Sequence, residues 1–269
     1  MTDTVRHILC MSGGKDSTAL ALYLRDRNPN MEYVFCDTGK ELTETYDYLD
    51  RVAAFLGKEI VRLNSHIGFE HWLDVFGGFL PSPRMRWCTK MLKLRPFERY
   101  VGDDPVVSYV GLRADEDRIG YISTKPNIRA LFPFKEDGID YAGVMKILQD
   151  SGIGLPPYLE WGRSHSGCFF CFFQRPIEWV RLMERHPDQF EEAMSYEKVS
   201  AAQEKTYTWN EGMPLSELRK PEVVEAIRKR HAEQEERNKQ RRGNRKLVEV
   251  LGGMCDDEET PKACLICQL

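Results

Sequence analysis

Apolar and polar positions in the first hundred residues follow two alternating rhythms. The short apolar runs "HILCM", "EYVFC" and "EIVRL" read as buried strands. Between them, Asp16 to about Asn28 and Glu41 to Leu56 show helical spacing. A strand-helix-strand-helix-strand order builds a parallel sheet with right-handed crossovers. After a long segment bearing Trp, Gly and Pro, Leu92 to Tyr100 reads as a helix and "PVVSYVGLR" as a further strand ending in a polar cluster. The expected fold is α/β, a Rossmann-like parallel sheet with helices on both faces.

Beyond Phe134 the pattern loosens. A helix is expected at Tyr141 to Gln149, then a Pro/Gly-rich passage, then "SHSGCFFCFFQRPIEWVRLMERHP", from which helical segments dominate. Pro221 to about Leu251 is long and highly charged. The expected organisation is an α/β domain over residues 1–135, a cysteine-bearing extension packed on it over 136–200, and a helical, basic C-terminal region over 201–269. No internal repeat or low-complexity linker interrupts this plan, and 269 residues leave no room for two large independent domains.

Composition changes the picture in two places. A net charge of −4 gives no overall drive toward nucleic acid, so any basic surface must be local. From Arg228 to Lys246 nine Lys/Arg stand against three Glu, which suits either a nucleic-acid backbone or a solvated helix face. No apolar run approaches the roughly 18 to 20 residues of a membrane span, and "MTDTVRHILC" lacks a signal-peptide pattern. The expected address is the cytoplasm, with no membrane partner. In a reducing compartment the eight cysteines then point to metal binding, clusters or catalysis rather than disulfides. Cys10 and Cys36 lie in strand-like runs and read as small packed hydrophobes. The pointed cases are two CxxC pairs, Cys168/Cys171 and Cys264/Cys267.

The richest local chemistry is "SGGKDS", Ser12 to Ser17, between the first strand and the first helix. Gly13 and Gly14 allow a tight turn and close approach to a ligand, while the helix opening at Asp16 offers unpaired N–H groups and its positive dipole end. Such a place binds phosphate, with Lys15 as a point charge and Ser12 and Ser17 as hydroxyl donors. The loop is neither GxxxxGK[ST] nor GxGxxG. It resembles the Ser-Gly-Gly-Lys-Asp-Ser motif of the PP-loop ATP pyrophosphatase superfamily. That resemblance implies an adenine nucleotide alpha hydrolase-like fold, ATP bound through Ser12, Gly13, Gly14, Lys15, Asp16 and Ser17, and cleavage between the α- and β-phosphates. The adenylate then activates an oxygen for replacement.

Further segments resemble the phosphoadenosine phosphosulfate (PAPS) reductase-like branch. "FCDTGKELTETYDYLDRV" resembles its Asp-Thr-Gly…Glu-Thr segment at Asp37, Thr38, Gly39, Glu44 and Thr45. "RWCTKMLKLRP" resembles its Cys-Cys-x-x-Leu-Lys-x-x-Pro segment, and "GLRADEDR" its Gly-x-Arg loop with Gly111, Arg113 and Arg118. Together these cover about the first half of the chain. Asp37 and Thr38 end the second strand at the carboxyl edge of the sheet, where Asp37 could orient the nucleotide or help hold Mg²⁺, or Asp-Thr-Gly could simply form a turn. Arg113 and Arg118 suit phosphate oxygens, or pair with the interleaved Asp115, Glu116 and Asp117. Arg84, Arg86, Lys90 and Lys93 form a second basic cluster, read as substrate contact or as solvated charge. Lys15, Asp16 and Asp37 are the catalytic candidates.

Cys88 sits in the branch motif, and Cys168-Phe-Phe-Cys171 resembles the downstream CxxC of branch members that carry a 4Fe-4S iron-sulfur cluster. Cluster-bearing reductases have adjacent cysteines where this chain has Cys88-Thr89, so the resemblance accounts for three ligands. Either a tail cysteine (Cys255, Cys264 or Cys267) is the fourth, or one iron stays open to sulfide or substrate. Zinc held by two CxxC pairs and unligated thiols are the alternatives. The terminal Glu-Cys-Gly-x-His of the reductases is missing, the chain ending in Cys264-Leu-Ile-Cys267-Gln-Leu. That CxxC could relay a persulfide, form a redox pair, or be tied down by metal.

The resemblance therefore implies sulfur incorporation, most like the DNA phosphorothioation proteins of this branch. ATP would adenylate a backbone-phosphate oxygen of DNA, a cysteine desulfurase would supply sulfur, and other modification-system subunits would be partners. The alternatives are a sulfonucleotide reductase using Cys264 or Cys267, and a non-catalytic nucleotide-binding subunit of a defence or CRISPR-associated complex.

Overall fold

The three apolar runs form β1 (Arg6–Met11), β2 (Glu32–Cys36) and β3 (Ile60–Leu63), joined by α1 (Lys15–Leu24) and α2 (Thr43–Leu56). The structure, a computed structural model, describes residues 5–117, 123, 125–198, 207–210 and 212–243. After α3 (Phe69–Val75), α4 (Trp87–Thr89) runs through a π-helical turn at Lys90–Leu94 into α5 (Arg95–Val101), followed by β4 (Val106–Tyr109) and β5 (Ile128–Leu131). The remaining helices are α6 (Pro133–Glu136), α7 (Tyr141–Ser151), α8 (Pro176–Arg185), α9 (Pro187–Ser195), α10 (Leu215–Leu218) and α11 (Pro221–Gly243), with a 3₁₀ turn at Pro157–Leu159.

All five strands pair in parallel in the order β3-β2-β1-β4-β5. The chain runs outward from β1 to β3 and then crosses back to lay β4 on the other side of β1. The direction of winding switches between β1 and β4, and the crevice beyond their carboxyl ends is where open α/β sheets bind ligands.

Alternation along the strands explains why the runs read as uninterrupted apolar sequence: both faces are covered. Leu9, Met11, Tyr33 and Phe35 share a core with residues of α1, α2 and α7. Ile8, Cys10, Val34 and Cys36 face the other way, onto Phe97 and Val101 of α5. Cys10 and Cys36 are thus packed hydrophobes, and burial pushes the Cys36 thiol up to about 12. A separate, aromatic core joins Phe69 and Trp87 to Phe169, Phe170, Trp179 and Trp209. It brings the CxxC turn against the segment that carries Cys88.

Several boundaries differ from expectation for local reasons. Helix α1 starts at Lys15 and stops at Leu24, and Pro29 disfavours helical backbone at Asn28. Helix α2 begins at Thr43, since Glu41 turns inward to accept from Thr38 Oγ1 at 2.8 Å. The "PVVSYVGLR" strand ends at Tyr109, and Val110 to Arg113 leave the sheet. Helix α3 and the short strand β5 were not anticipated. The end of the expected helix at Leu251 lies outside the described residues. Among those residues no helix is long and apolar enough to cross a membrane.

Candidate nucleotide and cysteine site

The Ser12–Ser17 loop, the candidate phosphate loop, lies at the end of β1. Gly13 adopts φ +68°, and a Cβ there would stand 2.7 Å from Thr45 Cγ2, so the loop turns tightly against α2. Thr45 therefore acts as a wall for the loop. The Ser12 N–H donates to Ser17 Oγ at 3.2 Å, and Ser17 Oγ donates to the Gly14 carbonyl at 3.2 Å. Ser12 Oγ lies 3.1 Å from Ser17 Oγ. Helix α1 starts immediately afterward and presents its N-terminal end to the β1/β4 crevice.

Asp16 binds both cations of this loop. Its carboxylate takes Lys15 Nζ at 3.1 Å on one oxygen and Arg113 Nη1 at 3.0 Å on the other. Arg113 also pairs with Asp115 and Glu116, each at 3.0 Å, and these carboxylates drive the guanidinium pKa upward against the opposing effect of burial. Of the two expectations for Arg113, the structure shows the carboxylate pairing: the arginine is held by Asp16, Asp115 and Glu116 at the crevice. Gly111 explains how it gets there, since a Cβ would lie 3.0 Å from the Asp16 carbonyl. Any larger residue would crowd the exit of β4 against the start of α1. Arg118 lies outside the described residues.

At the end of β2, Asp37 Oδ1 accepts from the Gly39 N–H at 2.8 Å and from Tyr46 O–H at 2.7 Å. One oxygen thus builds the turn, and the other has no protein partner among the described residues. The neighbouring Thr38 looks toward the cysteines, with Oγ1 3.2 Å from Cys168 Sγ. Glu44, which matches the branch motif, accepts from Trp161 Nε1 at 2.8 Å and lies 3.6 Å from His186 Nε2. It ties α2 to the later helices rather than reaching the crevice.

Cys88, Cys168 and Cys171 line one pocket, together with Thr38, Lys93 and the ring of Phe170. Three cysteines separated by up to 83 positions in the chain thus share one cavity. Among the described residues no three His, Cys, Asp or Glu side chains cluster tightly enough to hold a single metal ion. Burial, then the nearby Glu41, pushes the Cys168 thiol up to about 12. Its thiolate fraction near pH 7 is then about a thousandfold below that of an ordinary cysteine. In metal-free protein, alkylation of Cys168 followed by mass spectrometry should be slow at pH 7 and accelerate steadily to pH 10 and beyond. Fast labelling at pH 7 would contradict the raised thiol pKa. Cys255, Cys264 and Cys267 lie outside the described residues.

Lys93 is the member of the second basic cluster that joins the site, buried in the cysteine pocket, while Arg84 and Lys90 are exposed. The basic face of α11 is exposed as far as it is described, and Arg228 there pairs with Glu184.

Three participants carry no signature that sequence reasoning could single out. Arg163 is buried and donates from Nη1 to the Gly167 carbonyl at 3.2 Å and from Nη2 to the Cys168 carbonyl. Ser166 Oγ donates to Ser12 Oγ at 3.3 Å, and Tyr158 accepts from the Lys15 N–H at 3.2 Å. The signal available was the dense polar run "GRSHSGC" before the CxxC turn. In that run, His165 Nδ1 lies 2.9 Å from the Ser166 carbonyl. Burial, reinforced by Arg163, lowers its pKa to about 4 and keeps it neutral near pH 7.

A glycine-turned loop at the switch point of a parallel sheet gives an α/β fold with a candidate nucleotide site. Residues 6–130 match the phosphoadenosine phosphosulfate reductase domain family. An uncharacterized protein of Methanocaldococcus jannaschii is 28% identical over 201 residues, which is 68% of this chain and 40% of that protein. The tRNA-specific 2-thiouridylase of Haemophilus ducreyi is 27% identical over 185 residues, 54% of this chain and 47% of the enzyme. A solved PAPS reductase from Candida auris, a phosphate complex, aligns with a TM-score of 0.49 and 17% identity over 61% of this chain and 82% of that one. Residues 6–130 are thus similar to the PAPS reductase domain, and about half of the chain is similar to a tRNA thiouridylase. The chain spans less than half the length of these two sequence relatives.

Proposed function

We propose that this protein is an ATP pyrophosphatase that activates an acceptor oxygen for sulfur incorporation, with the backbone phosphate of DNA as the acceptor. The observation that carries the proposal is the junction of the two sites. Ser166, 3.3 Å from Ser12 of the phosphate loop, stands two residues before Cys168 of the pocket. Thr38, next to Asp37, touches the same cysteine at 3.2 Å. Replacing oxygen by sulfur needs the activating phosphates and the sulfur carrier to be neighbours.

The acceptor oxygen attacks the α-phosphorus of ATP, the α–β bond breaks, and pyrophosphate leaves. Lys15 and the N-terminal end of α1 stabilise the charge on that leaving group, and Arg113 steadies Lys15 through their shared Asp16. Sulfide then attacks the adenylated centre and AMP departs, leaving sulfur where oxygen had been. Asp37, with one oxygen unused, is the residue that would hold Mg²⁺, whose role is to neutralise phosphate charge. Cys88, Cys168 and Cys171 would hold an iron-sulfur cluster, which would supply an iron site for sulfide. Their sharing of one pocket, across 83 positions of chain, supports that reading. The thiouridylase relative, named for thiolation of tRNA, supports sulfur chemistry on nucleic acid. The exposed basic face of α11 supports contact with DNA backbone. A cysteine desulfurase and further modification subunits are the expected partners, and the cytoplasm the expected address.

Full-length protein incubated with ATP, Mg²⁺, DNA and sulfide should yield AMP and pyrophosphate, and ADP with phosphate would sink the mechanism. Anaerobically purified protein should contain iron and acid-labile sulfide, both lost in Cys168→Ala. Zinc without iron would overturn the cofactor assignment. The reductase domain match favours a second reading, a sulfonucleotide reductase using Cys264 or Cys267. Thiol-dependent sulfite release from a sulfonucleotide would select it. Nucleotide binding without turnover would instead favour a non-catalytic subunit.

A further inference from the structure

The PP-loop motif ends at Ser17, yet two hydroxyls from a segment about 140 residues later are built into its wall. Ser166 and Tyr158 are both buried, at 6% and 3% exposure. Ser166 Oγ presses on the loop so closely that a Cβ on Gly14 would meet it at 2.7 Å. Its hydroxyl is the head of a chain of three serines. Ser166 donates to Ser12, and Ser17 donates onward to the Gly14 carbonyl, which leaves Ser12 as the donor in the 3.1 Å Ser12–Ser17 contact. In this arrangement all three protons run into the loop, and a small rotation would turn any of them toward a ligand.

Tyr158 presents the complementary case. Its oxygen accepts the Lys15 N–H at 3.2 Å, one of the first N–H groups of α1, which have no partner inside the helix. An anion at this loop would otherwise use that donor. The phenol's own proton has no acceptor among the described residues, although the side chain is buried. A buried donor without a partner is destabilising unless a ligand satisfies it. Phosphate oxygens only accept, so they match this proton and the serine rotors. Burial raises the Tyr158 pKa and keeps the group a donor across the physiological range.

We propose that Tyr158 and Ser166 are phosphate-binding residues of the nucleotide site, supplied by the extension that also carries Cys168. The motif alone is then an incomplete cradle, and the cysteine turn belongs to its wall. Gly167, between Ser166 and Cys168, takes φ +114°, which lets the chain turn from the phosphate loop to the pocket within two residues.

The inference rests on the Ser12–Ser17 loop being the ATP site, so the test separates the two. Equilibrium binding of ATP, inorganic pyrophosphate and adenosine would be compared in full-length wild type, Tyr158→Phe, Ser166→Ala and Lys15→Ala. Each hydroxyl deletion should weaken ATP and pyrophosphate about tenfold and leave adenosine unchanged. Tyr158→Phe keeps the ring and therefore the packing, and thermal melting checks that each variant is folded. Wild-type affinity for ATP in both hydroxyl variants, with binding lost in Lys15→Ala, would overturn the proposal and leave the loop reading standing. Equal loss of adenosine and ATP would also overturn it, because the defect would then be structural. Wild type that binds neither ATP nor pyrophosphate would overturn both.

Discussion

Lys15→Ala is expected to lower ATP cleavage to AMP and pyrophosphate by about 10²- to 10³-fold while the protein remains folded. The magnitude follows from what a preorganised donor contributes to a developing anion in a sheltered site, about 3 to 4 kcal/mol. The side chain is only 12% exposed and is held by Asp16 at 3.1 Å, so its ammonium is already positioned before a ligand arrives. Its removal does not orphan Asp16, which keeps Arg113 at 3.0 Å on its other oxygen. That second partner is why the fold should survive. Left facing the phosphates with one cation fewer, Asp16 adds repulsion to the lost attraction. Steady-state kinetics with pyrophosphate detection, alongside a thermal melt, separates the effects. Unchanged turnover would remove Lys15 from the mechanism, and an unfolded variant would show that the Lys15–Asp16 pair is structural.

What could be read from sequence follows the range of the interactions involved. Strands β1 and β2 were legible because both of their faces are buried, and the short edge strand β3 because its apolar run directly follows a helical stretch. Strand β5, equally short and at the other edge, was not, because no helical pattern precedes it in the sequence and Arg129 is exposed. The phosphate loop was legible because all its chemistry falls within six consecutive residues. Tyr158, Ser166 and Arg163 were not, because each acts through tertiary contact with residues whose partners cannot be inferred from spacing. The matched Glu44 and Thr45 show the converse: both fit a motif, and both serve to seat neighbouring elements, one against Trp161 and one against Gly13. The three cysteines could be grouped only by resemblance. Their meeting in one pocket depends on an aromatic core that draws Phe169 and Phe170 onto Phe69 and Trp87.

Arg163→Met is expected to destabilise the protein by about 2 to 5 kcal/mol and to strip iron from anaerobically purified material. The arginine is 2% exposed, and its guanidinium supplies the donors for two consecutive carbonyls, those of Gly167 and Cys168. Methionine fills much of the same volume, so cavity formation is a small part of the loss. The larger part is the buried Gly167 carbonyl left without a donor and the Cys168 carbonyl left with the Cys171 N–H alone, at 3.1 Å, at the base of the CxxC turn. Removing a desolvated cation gives some stability back, particularly because Arg163 Nε has no acceptor. That refund is what sets the lower end of the range. Lysine can reach one carbonyl but cannot fork to two, so Arg163→Lys should fall between methionine and wild type in both urea midpoint and iron content. A structural role alone would lower the urea midpoint and leave iron per folded molecule unchanged. Loss of iron at a denaturant-free temperature where the variant is fully folded would show that Arg163 positions Cys168 for its ligand.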